Sequence, residues 1–224
     1  MHSHGRIKTA WQLVWLSLRK SRFLLLAPWL VLYLWTPFRM ALVYYLEDAQ
    51  FYWLYNNVQK LGVAACLAWP LLALQGWYEG DAAEVLQTYG LREKISPGRM
   101  VLLADALVMA TLLPAVLWAG LAGFFAVWEY LRLLMQVLVF SAILCLLTML
   151  FRSQNAAITL ILAYTVFSVL FCGKGGSPFR KWCWILPNKP ADPEMLLQQY
   201  LPPAVLALLF FALVPLWERK HFRR

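Results

Sequence analysis

Side chains able to do chemistry are few in this chain, and those inside its apolar runs are fewer still: Arg39, Gln75, Asp105, Gln136, Asn155 and some hydroxyls. Ionisable groups at membrane depth are costly and mark pathways or sites. Arg39 falls towards the outer end of its run and Asp105 near the inner end of another. Such placement predicts that each snorkels to its nearer interface and that the two do not pair. Nucleophilic chemistry finds no couple. His2, His4 and His221 lie in the end segments, and neither HExxH nor GxSxG occurs. "GKGGS" at 173–177 lacks the Walker order of a second glycine followed by lysine and reads as a turn. The chain is expected not to be an enzyme and to bind no metal or cofactor of its own.

Cys66, Cys145, Cys172 and Cys183 form no CxxC, and the expectation is small buried hydrophobes. A Cys172–Cys183 bridge would require both to face outside.

The longest polar stretch is "WYEGDAAEVLQTYGLREKISPGR" at 77–99, which carries Glu79, Asp81, Glu84 and Glu93 with Arg92, Lys94 and Arg99. Acidic residues at its start and Gly90 beyond its end suit a short helix at 79–90. Ala82, Val85, Leu86 and Tyr89 make an i, i+3, i+4, i+7 apolar stripe. A helix this short is marginal alone, so it packs either on a partner or on its own domain. The residues leave both open.

The elements that must hold these groups are membrane spans. The chain is 62% hydrophobic and 14% charged, far from the balance of a soluble domain. The expected architecture is all-α and integral to the membrane. Runs near the roughly 20 residues needed to span occur at about 23–46, 59–78, 100–126, 132–151, 155–172 and 199–217. Pro28 and Pro37 predict a kink in the first. The formal charge of +9 flanks the runs and does not form a nucleic-acid patch. Lysine and arginine bias favours both termini in the cytoplasm.

Before the first run, Ile7, Trp11, Val14, Trp15 and Leu18 share one helical face, while Arg6, Lys8, Gln12 and Arg19 lie largely elsewhere. This predicts an interfacial helix over 6–21, or alternatively the inner end of a long first span. The Gly- and Pro-rich segment 173–198, with Trp182 and Trp184, predicts a turn or short helix dipping into the outer interface.

Taken together, a basic interfacial helix, six spans, and an inner Glu-x-x-x-x-Glu-x-Leu helix followed by a Ser-Pro turn and arginine resemble the permeases of type-2 ABC exporters. The matching residues are Glu79, Glu84, Val85, Leu86, Ser96 and Arg99. The chain departs from the pattern at Asp105, where a lysine is common. The resemblance implies a coupling helix, here Glu79, Asp81, Glu84, Val85, Leu86, Tyr89 and Arg92, that seats on a separate ATPase subunit holding ATP and Mg. It also implies a second permease copy, a prokaryotic cell membrane, and a re-entrant outer gate at 173–198. Arg39, Gln136, Trp182 and Trp184 are then candidate pathway or gate positions. Two other classes stay open: a substrate-binding subunit of an energy-coupled importer, and a membrane assembly or immunity protein.

Overall fold

The structure is a computed structural model that describes residues 11–16, 18–19, 22–35, 38, 56, 58–75, 77–78, 83–86, 88, 96–121, 126–172, 183–186 and 190–221. Every regular element among them is helical. Helix α1 runs Arg22–Trp29 and continues as a π-helical stretch, Leu30–Trp35. Pro28 lies inside it; its ring removes one backbone donor and crowds the preceding turn, which the wider turn absorbs. Helix α2 spans Val58–Leu74 and ends where Gln75 turns to an extended ψ of 126°. Helices α3 (Pro97–Leu121), α4 (Ala126–Phe151) and α5 (Gln154–Cys172) follow. The last, α6, starts at Pro193–Met195, widens at Leu196–Tyr200 and runs through Leu201–His221.

Four helices among the described residues are long and apolar enough to cross a membrane: Pro97–Pro114, Val127–Phe151, Gln154–Phe171 and Pro193–Pro215. The first two of the six expected spans are shorter here, as Phe23–Trp35 and Val58–Leu74. Most of 36–46 lies outside the described residues, and α2 stops four residues before the expected end.

Helix α4 is the hub, packing against α2, α3, α5 and α6. Its buried residues include Leu133, Val137, Phe140, Leu144 and Cys145, which recur at three- and four-residue spacing and so turn a continuous face inward. Close approach elsewhere depends on small residues, as in membrane bundles generally. A Cβ on Gly62 would sit 3.2 Å from Leu32 of α1, and one on Gly98 3.2 Å from Val214 of α6. Large apolar side chains of α5 and α6, among them Leu160, Phe171, Leu206 and Leu213, are exposed, as lipid-facing surfaces are.

The ends are capped locally. The Ser96 hydroxyl accepts from Arg99 N at 3.3 Å and opens α3. Asp192 accepts from Met195 N at 2.6 Å, with Pro193 at the first helical position. Between α4 and α5, Arg152 takes a φ of 50°, the left-handed conformation that reverses a chain after a helix. Gln154 then donates to the Leu71 carbonyl at 2.9 Å. The C-terminal ends of α2 and α4 therefore share one end of the bundle with the start of α5.

Residues 11–16 and 18–19 are helical. Their expected single stripe divides in two. Val14 and Leu18 are 0% exposed within the main core, whereas Trp11 and Trp15 are 44% and 48% exposed, with Arg19 also outward.

Candidate functional site

Helix α4 carries Glu129, Arg132 and Gln136 at i, i+3 and i+7, so the three rise along one side of it, and all three are buried. At 1.5 Å per residue, Gln136 stands about 22 Å from the Phe151 end and Arg132 about 28 Å. This polar side meets the non-helical segment 183–186, which enters the bundle with Cys183, Ile185 and Leu186 buried.

A non-helical backbone at this depth must find hydrogen bonds from its surroundings. Side chains from three helices supply them. Gln136 Nε2 donates to the Trp184 carbonyl at 2.5 Å, and the Tyr200 hydroxyl donates to the same oxygen at 2.8 Å. The Trp184 N–H donates to the Tyr164 hydroxyl at 3.0 Å. Ser168 donates to the Ile185 carbonyl at 3.1 Å, and Gln199 to the Cys183 carbonyl at 3.1 Å. The Trp184 ring packs edge-on to Phe140.

Two further contacts brace this layer. Gln59 and Gln136 exchange amide hydrogen bonds at 3.1 and 2.8 Å, tying α2 to α4. Arg132 Nη2 meets Glu129 Oε2 at 2.5 Å, and Glu129 Oε1 accepts from Ala191 N at 2.6 Å. The ion pair thereby holds both its own helix and the approach to α6.

Cys183 is disulfide-bonded, while Cys66 and Cys145 are free and buried. The expectation of small buried hydrophobes holds for those two and is corrected at Cys183, which is bonded.

A second polar contact lies deeper. Asp105 of α3 is buried, and its Oδ1 accepts from the Ser141 hydroxyl of α4 at 2.8 Å. It sits about 12 Å along α3 from Pro97, inside the bundle. The expected snorkelling of Asp105 is thus corrected. The carboxyl points into the bundle because the α3–α4 contact offers it a hydroxyl there.

At the end opposite segment 183–186, residues 83–86 form one helical turn. Ala83 is buried and Leu86 packs on the main core, whereas Glu84 is exposed and Val85 is 69% exposed. Of the expected apolar stripe Ala82, Val85, Leu86 and Tyr89, the two described members part ways: Leu86 faces the protein and Val85 faces away, while Ala82 and Tyr89 lie outside the described residues.

Of the candidate gate residues, the structure brings Gln136 and Trp184 into direct contact. Arg39 and Trp182, with Glu79, Asp81, Tyr89 and Arg92, lie outside the described residues. Sequence reading missed Gln59, Tyr164 and Tyr200 as partners of this layer. Their signal was faint, being polar groups set singly within or beside apolar runs. Near α1, Trp29, Tyr33 and Thr111 line a shallow cleft of about 340 Å³, with Trp29 Nε1 donating to the Thr111 hydroxyl at 3.2 Å. Among the described residues no group of three or more histidine, cysteine or acidic side chains is arranged to hold a metal ion. No family model, curated protein or solved structure matches the chain.

Proposed function

We propose that the chain is the permease subunit of an ATP-driven exporter of the type-2 ABC kind, with six hydrophobic segments and both termini in the cytoplasm of a prokaryotic cell. It works as a dimer, and ATP and Mg are bound on a separate ATPase subunit. The observation that carries this reading is the helical turn at 83–86. It is anchored through Ala83 and Leu86, yet it presents Glu84 and a 69% exposed Val85 outward, between α2 and the Ser96-capped start of α3. An exposed valine beside an acidic group, on a short element rooted in the core, is suited to seat in a partner's cleft and pass a push to α3.

Orientation is supported from the other end of the bundle. A disulfide at Cys183 supports an oxidising outer face at that end, and with it a cytoplasmic face for 83–86, where the proposed ATPase docks. Segment 183–186, seated in the outer layer by Gln136, Tyr164, Ser168 and Tyr200, then closes the external mouth. The exposed Trp11 and Trp15 suit a helix lying in the inner interface.

Reversing both acidic charges, Glu79→Lys with Glu84→Lys, tests the reading. The expected result is loss of ATPase docking or of coupling while the chain remains inserted in the membrane. Unchanged transport and unchanged ATPase binding would contradict it. Tight ligand binding by the purified chain alone would favour the importer-subunit class instead.

A further inference from the structure

The buried carboxyl of Asp105 has no part in the coupling or gating described above. Its Oδ1 accepts one hydrogen bond, from Ser141, while Oδ2 is fully buried and has no hydrogen-bond partner among the described residues. A carboxylate in an apolar interior requires several donors or a cation to hold its charge. No cationic side chain among the described residues reaches this one. The titratable groups around it are neutral types. Cys66 of α2 is a free buried thiol. Tyr130 of α4 donates to the Met109 carbonyl one turn further along α3. Tyr33 of α1 donates to the Thr111 carbonyl beyond that. From α6, the residues at the nearby Gly98 contact are the apolar Phe211 and Val214.

We propose that Asp105, with Ser141 bonded to it, is a proton-exchange site inside the bundle. The proton is taken up on Oδ2, and Ser141 stays bonded to the carbonyl oxygen Oδ1. The ligand is a proton because the site offers one unpartnered oxygen and, among the described residues, no ligand cluster for a larger cation. Loss of that proton leaves a charge with a single donor between α3 and α4, so occupancy acts on the packing of these two helices. The site does not depend on the transport reading and stands or falls separately from it.

Infrared difference spectroscopy against pH on the full chain in lipid nanodiscs tests this. The wild-type chain is expected to give a carboxylic-acid carbonyl band that titrates. Asp105→Asn removes the band. Ser141→Ala keeps it but moves it to higher frequency, because the carbonyl oxygen loses its donor. A wild-type chain with no titrating acid band, or a band that survives Asp105→Asn, would overturn the proposal. The wild-type and Ser141→Ala measurements decide the matter even where Asp105→Asn fails to fold.

Discussion

Gln59 and Gln136 face each other across α2 and α4 and exchange two amide hydrogen bonds, and Gln136 Nε2 also donates to the Trp184 carbonyl. One side chain thus joins two helices and the inserted segment. Polar pairs between membrane helices couple by about 0.6 kcal/mol on average and rarely above about 1.7 kcal/mol. A double-mutant cycle of Gln59→Leu and Gln136→Leu, read by unfolding in detergent, is expected to give a coupling of about 1 kcal/mol. Gln136→Leu alone should also raise hydrogen exchange at Trp184 and Ile185, whereas Gln59→Leu should do so less. Equal protection in both variants would show that Gln136 does not seat the segment.

Arg132 and Glu129 form a buried ion pair, and truncating one partner of such a pair strands the other charge, at a cost of about 3–5 kcal/mol. Arg132→Met should therefore destabilise the chain markedly in thermal unfolding. Adding Glu129→Gln should recover much of the loss, because the stranded charge is removed while Ala191 N keeps an acceptor. If the double variant is no more stable than the single one, Arg132 serves by packing and not by charge.

Gly98 approaches Val214 closely, since an added Cβ would lie 3.2 Å from its Cγ1 and 3.5 Å from Phe211 Cδ1. Gly98→Leu is expected to force α3 from α6 and cost about 1–3 kcal/mol. Gly98→Ala should cost less and should be relieved by Val214→Ala. A Gly98→Leu variant with an unshifted melting temperature would place the α3–α6 contact elsewhere.

Thiol chemistry reads the outer layer. Denatured, unreduced chain should alkylate at the two free cysteines, Cys66 and Cys145, and not at Cys183. After reduction, all four cysteines of the sequence should label. Labelling of Cys183 before reduction would remove the argument from the oxidising compartment.

Hydropathy pointed to four apolar helices long enough to span, α3, α4, α5 and α6, because the apolar run length is itself the physical requirement for spanning; it did not give their bounds, since α4 and α6 each begin six residues before the expected run. Pro28 was legible as an irregularity in α1, which widens to a π-helical stretch at Leu30–Trp35; most of 36–46 lies outside the described residues. Side-chain direction was harder. Asp105 was expected to reach the interface, yet the hydroxyl that turns it inward comes from Ser141, 36 residues away. Gln136 and Trp184 could both be singled out as polar or aromatic residues near the outer layer. Their contact depends on where 183–186 folds back, which no local spacing encodes. In the same way, the expected stripe did not say which of Val85 and Leu86 faces the core; among the described residues 83–86 it is Leu86 that packs on it.

The central claim, that this chain is driven by a separate ATPase through the 83–86 turn, has one direct measurement. Affinity-tagged full chain is purified from its own cells in mild detergent, and Mg-dependent ATP hydrolysis is assayed in the eluate for wild type and for Val85→Asp, whose side chain is mostly exposed and outside the core. The account predicts hydrolysis co-eluting with the wild-type chain and at least a several-fold loss with Val85→Asp at equal membrane insertion. Absence of co-eluting ATPase from wild type, or equal activity with Val85→Asp, would contradict it.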